Sequence, residues 1–315
     1  MEAPRLTFFC ELAPGPLQEL FAAPAVTGDL VALRAGVSLG LLDLGPERAE
    51  VVRHLNREGI PVTAWLLLPE EQGYWFHAGN VAQATARYDA FQAWTAEHGL
   101  KWAGVGLDIE PDIRELRGML EGGWRRLPGL LPRLVRGARV REARAGYGAL
   151  VQRIRADGHR VDTYQFPFIV DERQSRSTLL QRLSGVLDLP SDREVLMLYT
   201  SFVRPHGAAL LWSYGPGAPS IAVGITGGGV ELPGAHLAPP LDWAELSRDL
   251  RLAVRWTHDL HVFSLEGCVR QGFLSRLRRF DWDAPVDPPA VPARRVDALR
   301  RVVRGVLRAS THVLR

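Results

Sequence analysis

Cysteine is nearly absent: Cys10 and Cys268 are the only two in 315 residues. That excludes a disulfide framework or a cysteine-built zinc site and leaves one pairing open. Lysine is scarcer still. Lys101 stands alone, so nearly all of the 38 basic residues are arginine, a bias of codons rather than a phosphate-binding signature. The 35 acidic residues almost balance them at a net charge of +3, and no nucleic-acid partner is expected. No apolar run approaches the ~20 residues that span a bilayer. Met1 to Gly15 has no basic segment followed by a long apolar run, so the expectation is no secretory signal and a soluble, cytoplasmic protein. Internal repeats and low-complexity tracts are also missing.

What is present is a chain that is 46% hydrophobic, enough to bury one large core. Short apolar, β-rich runs alternate with helical patterns, as parallel βα units do. The runs are Leu6–Leu12, Val37–Leu44, Pro61–Leu68, Trp102–Ile109, Arg160–Ile169, Glu194–Phe202, Ser220–Thr226 and Leu260–Glu266. Eight parallel strands close a barrel. Between them, Arg48–Glu58, Val81–His98, Ala143–Asp157 and Trp243–His258 carry apolar residues at three- and four-residue spacing. Gly59, Gly99 and Gly158 stand where left-handed helix caps are cheapest. The expected fold is an α/β (β/α)8 TIM barrel.

Two segments exceed a minimal barrel. Residues 112–141 form an enlarged connection after the fourth strand, helical in pattern, rich in Arg and Leu and interrupted by Gly122-Gly123 and Pro128, which is expected to lie over the barrel mouth. Residues 1–282, this insertion included, would make the catalytic barrel. Residues 283–315 would make a Pro-rich linker and a basic helix from Arg294 to about Leu314, with Val296, Leu299, Val302, Val303 and Val306 on one side. That side either packs on the barrel, the reading adopted, or meets a membrane surface or partner. Nothing in the sequence bears on oligomeric state.

Barrel active sites are built at the C-terminal ends of the strands. Four carboxylates end such runs: Glu11, Asp108, Glu110 and Glu266, with Asp43 as a weaker fifth. In Gly104-Val105-Gly106-Leu107-Asp108-Ile109-Glu110 the two-residue period puts Val105, Leu107 and Ile109 toward the helices and both acids into the mouth. Two close carboxylates resist joint ionisation, which raises one pKa and keeps a proton for general-acid work. The same logic on strand 8 places Ser264 and Glu266 inward and Phe263 and Leu265 outward. The pair at 108 and 110 would then face Glu266 and Glu11 across a gap wide enough for a sugar ring. Trp65 and Trp75 offer flat faces for sugar C–H surfaces, and Tyr164, Gln165 and Tyr199 offer polar groups. Each could equally be packing.

Leu107-Asp108-Ile109-Glu110, together with Met197-Leu198-Tyr199, resembles the Asp-x-Glu strand ending of the family 18 chitinase-like barrels and, more loosely, the family 25 lysozyme-like barrels. The resemblance implies a glycoside hydrolase without a cofactor or metal, acting on carbohydrate, with Glu110 as general acid, Asp108 orienting the substrate and Tyr199 assisting. The chain departs from the chitinase pattern at Gly106, Thr200 and Glu266, and lacks its Ser-x-Gly-Gly run. Substrate-assisted and two-carboxylate mechanisms both stay open, with Glu266, or Glu11, as nucleophile or base. The alternatives are a metal-dependent sugar isomerase or epimerase barrel using Glu110, Glu266 and Glu11 as ligands, and a barrel that binds glycan without cleaving it. Gly227-Gly228-Gly229 is either a phosphate-binding loop or a plain turn.

Overall fold

A computed structural model describes residues 3–122, 132–135, 137–229 and 239–313. Eight parallel strands close a barrel in chain order: β1 Arg5–Cys10, β2 Gly36–Leu41, β3 Val62–Leu66, β4 Gly104–Asp108, β5 Val161–Gln165, β6 Arg193–Met197, β7 Ser220–Gly224 and β8 Asp259–Phe263. All eight expected runs are strands. Several stop earlier than the apolar pattern does. After Gln165 the chain turns at Pro167 into helix Phe168–Ser175, and after Phe263 the Ser264 hydroxyl accepts the Gly267 N–H and caps helix Leu265–Arg270. Glu266 therefore sits on a helix, not on the strand end.

The helices start where the sequence offers a start. Pro46 opens Pro46–Arg57 with a fixed φ, and Asp242 and Glu245 form a reciprocal capping box on Trp243–Ala253. Their apolar faces cover the outward strand residues, among them Phe8, Leu39, Val105, Leu107, Val161 and Val262, in one continuous core. A second cluster fills the barrel interior: Phe9, Trp65, Leu67, Tyr164, Val195, Met197 and Ala222, with Phe263 against it. Gly106 is required here, because a Cβ at that position would overlap the Tyr164 ring and hydroxyl. Tyr164 plugs the centre instead, its hydroxyl 2.5 Å from Ser38 Oγ.

At the other end of the strands an ion network fastens the barrel. Arg5 of β1 reaches Asp259 of β8 at 2.6 Å, Arg193 of β6 meets Asp259 at 3.2 Å and also the fully buried Asp162 of β5, and Arg160 meets Asp162 at 3.0 Å. His261 is enclosed beside this network. Burial first, then the Arg193 charge, push its imidazole down to about 3, so it is neutral.

Within the enlarged connection, helix Ile113–Gly122 and helix Gly137–Ala156 are present, and Arg133 returns to Glu115 at 2.7 Å. Residues 123–131 and 136 of that expectation lie outside the described residues. Ile113 is buried in the interior cluster and Leu116 packs against it, which sets this helix beside the mouth. The terminal helix runs over Ala290–Val313 and lies against helices Phe168–Ser175 and Gly207–Tyr214. Its expected apolar side is turned only partly toward the barrel. Ala293 and Leu307 are buried, Val296 and Val303 are half-buried, and Leu299, Val302 and Val306 face solvent. The rotation follows from Arg300, whose guanidinium pairs with the buried Asp171 at 2.9 Å and lies 3.7 Å over the Tyr214 ring. Among the described residues no helix is long and apolar enough to cross a membrane.

Candidate active site

The alternation on β4 sends Val105, Leu107 and Ile109 into the outer core, which leaves Asp108 and Glu110 for the C-terminal mouth. Asp108 is 2% exposed, and its Oδ2 accepts the Trp65 indole N–H at 3.2 Å, while Oδ1 is buried without a partner among the described residues. Glu110 keeps part of its surface open. Burial first, then the Glu11 charge, raise the Glu110 carboxyl to about 8. Asp108 is also pushed up, by burial first and then by Glu110 and Glu11, with the Trp65 hydrogen bond opposing. Among the described residues no cation offsets either shift. At neutral pH this cluster holds protons that isolated carboxyls would have lost.

Glu11 thus joins Asp108 and Glu110 rather than a separate opposite wall. It follows β1, is buried, and accepts a hydrogen bond from the Tyr74 hydroxyl. Burial and the Glu11 charge hold the Tyr74 phenol above its usual range, so it stays a donor. Tyr199, half-buried at the same mouth, is raised by burial and then by Asp108, Glu110 and Glu11. The loop bearing Tyr74 is held by Asn80, whose side-chain amide donates to Gln72 O at 3.0 Å and Trp75 O at 2.8 Å, while its Oδ1 accepts the His77 N–H and the Tyr147 hydroxyl. Neither the Tyr74–Glu11 bond nor the Asn80 clamp has a sequence signal, because both join positions whose proximity depends on the loop path.

Glu266 stands apart. The strand-8 parity is the reverse of the expectation: His261 and Phe263 point inward, Phe263 against Phe9, Trp65 and Tyr199, because β8 pairs with β1 in a register that sets Phe263 beside the inward Phe9 and Val262 beside the outward Phe8. Glu266, 5% exposed, faces the Cys10 thiol, the Ser264 hydroxyl and the Glu11 backbone amide. Burial raises its carboxyl as well. The same glycine loop that covers Glu266 at Gly228 reaches Glu11 at Gly229. Cys10 and Cys268 are free, buried thiols.

Gly227, Gly228 and Gly229 all have positive φ, at 113°, 86° and 81°. Side chains there would run into Glu266 at 228 and into Phe263 and Glu11 at 229, where a Cβ would lie 2.9 Å from Glu11 Oε2. The loop is a tight cover over two carboxylates. A phosphate there would lie against these two carboxylates, which weighs toward the plain turn.

The remaining positions divide by accessibility. Trp65 and Trp75 are buried at 2% and 6% exposure, so Trp75 is wall rather than an open platform, its ring edge-on to Tyr74. Tyr164 is the barrel plug beneath the acids. Gln165 faces outward and donates to Leu187 O at 3.1 Å. Asp43 pairs with the buried Arg48 at 2.7 Å and accepts the Gly45 N–H, tying the β2 end to helix Pro46–Arg57. Gln165 and Asp43 are not brought to the mouth. Among the described residues no three His, Cys, Asp or Glu side chains are grouped to hold a metal ion.

No protein-family model matches the chain, and no curated protein matches it in sequence. Solved structures do match in shape. The glycoside hydrolase domain of PgaB (BpsB) from Bordetella bronchiseptica gives a TM-score of 0.55 at 12% identity, covering 88% of this chain and 98% of that one. A D-allulose 3-epimerase from Methylomonas sp. gives 0.44 at 12% identity over 95% and 99%, and a mannanase catalytic domain from Streptomyces sp. SirexAA-E gives 0.37 at 14% over 83% and 75%. At such identities the likeness is one of fold: structural neighbours of this TIM barrel include both glycoside hydrolase domains and sugar epimerases.

Proposed function

We propose that this barrel hydrolyses glycosidic bonds, with Glu110 as proton donor and Glu11 as the second carboxylate. The observation that carries the reading is Glu110 itself: the carboxyl of a partly exposed residue just beyond the strand end, its pKa raised to about 8 by burial and by Glu11. Glu110 passes its proton to the glycosidic oxygen as the bond to the anomeric carbon breaks. Glu11, stabilised as an anion by the Tyr74 hydroxyl, faces the positive charge that develops on that carbon. Water supplies the new hydroxyl, and its proton returns to a carboxylate. Asp108, held protonated by burial beside Glu110, limits the negative charge of the cluster. The fold likeness to a glycoside hydrolase domain is consistent with this chemistry.

In this reading Glu266, enclosed on helix Leu265–Arg270, supports the cluster rather than acting as nucleophile. Hydrolysis of a panel of β- and α-linked oligosaccharides tests the proposal. Glu110→Gln should lower kcat by roughly 10²–10⁴-fold with substrate binding retained. Anomeric NMR of the first product assigns Glu11: retention makes it the nucleophile, inversion the base. Binding of a glycan without turnover by the unaltered protein would sink the hydrolase reading in favour of a binding barrel.

A further inference from the structure

The terminal helix Ala290–Val313 carries a face that the barrel does not use. Leu299, Val302 and Val306 are 63%, 65% and 57% exposed, and Ala298, Gly305 and Ala309 beside them are exposed too. Arg294, Arg301 and Arg308, each seven residues from the next and so aligned along the helix, border this strip and are exposed. None of the three has an ion pair among the described residues, whereas Arg300 and Arg304 on the barrel-facing side are committed to Asp171. Asp297, the helix's one acid, accepts a hydrogen bond from Ser213. The outer face therefore carries an aliphatic row of Leu299, Val302 and Val306 that begins at the exposed Arg295, beside an edge of three arginines against the single acid Asp297, a net positive balance.

We propose that this face lies on an anionic lipid surface, the aliphatic strip entering the headgroup boundary and the three arginines resting on lipid phosphates. The pairing of the two halves selects the partner. A nucleic acid would be met by the arginines alone and has no use for the aliphatic strip. A second copy is disfavoured because self-association would bring the arginine edges of two such helices together. This inference is independent of the reaction assigned to the mouth.

Co-sedimentation of the full chain with phosphatidylglycerol-containing vesicles and with pure phosphatidylcholine vesicles tests it. Binding is expected to the anionic vesicles only, weakening as salt rises. The triple change Arg294→Gln, Arg301→Gln, Arg308→Gln should reduce partitioning at least roughly tenfold. Val302→Asp should reduce it comparably, with thermal midpoints unchanged because the side chain is exposed. Absence of sedimentation at low salt overturns the proposal. So does binding that survives Val302→Asp, or a duplex DNA oligonucleotide bound as tightly by the unaltered and Val302→Asp chains, since either result makes the surface a simple polyanion site.

Discussion

The indole N–H of Trp65 donates to Asp108 Oδ2 at 3.2 Å, from a strand directly paired with β4. It is the one hydrogen bond that favours the charged form of an otherwise desolvated acid. Trp65→Phe keeps an aromatic ring against Phe9 and removes the donor. The Asp108 carboxyl should then titrate still higher, seen in carboxyl NMR shifts, and stability should fall by about 1–3 kcal/mol from the orphaned acceptor.

Glu110 gives a stability prediction whose sign runs against the usual acid case. Its folded pKa of about 8 lies above the ordinary carboxyl value, so between roughly pH 5 and 8 the folded state binds more protons than the unfolded one. Stability should decline as pH rises through that window. Thermal midpoints of the unaltered protein and Glu110→Gln should diverge, with the variant gaining most at pH 8. Equal pH slopes would show that Glu110 titrates normally.

The same group sets the activity profile. Under the proposed mechanism kcat/KM on an oligosaccharide should hold through neutrality and drop above about pH 8, as Glu110 loses the proton it must donate. A basic limb already falling near pH 5 would assign the acid elsewhere.

Tyr74→Phe removes the donor to Glu11 while preserving the ring against Trp75. A buried carboxylate losing a charge-assisted bond costs about 1.5–3 kcal/mol. Urea denaturation at pH 7 should report that loss.

Gly228 and Gly59 separate two costs of a side chain. Both have positive φ, at 86° and 72°, but a Cβ at 59 meets open space, whereas at 228 it overlaps the Glu266 carboxylate. Gly59→Ala should cost about 1–2 kcal/mol of left-handed backbone strain. Gly228→Ala should cost that and at least about 1 kcal/mol more. Equal losses would mean that the cover over Glu266 yields freely.

The barrel is legible in the sequence because its strands are buried on both faces and so read as short apolar runs between helical stretches. Asp108 and Glu110 are legible for a related reason: the β4 alternation continues unbroken to its end. Strand 8 shows where that reasoning fails. Ser264 fits an inward strand position and a helix cap equally well, and the cap prevails, so Glu266 belongs to a helix and strand alternation no longer sets its facing, while the register with β1 turns Phe263 inward. Position alone finds Glu11 but not its neighbours, since sharing a mouth with Glu110 depends on Tyr74 and a loop clamped by Asn80. The facing of the terminal helix escapes hydropathy because Arg300 contributes more as the partner of Asp171 than a hydropathy scale assigns to an arginine.

The Arg5–Asp259 pair joins the first strand of the barrel to the last. A growing chain therefore holds β1 with one flank unpaired until more than 250 further residues have emerged, so enclosure of the interior is a late event that the C-terminal third must complete. Fragments ending before residue 259 would present a bare strand edge rather than a smaller barrel, which makes the integrity of this chain an all-or-none property at synthesis.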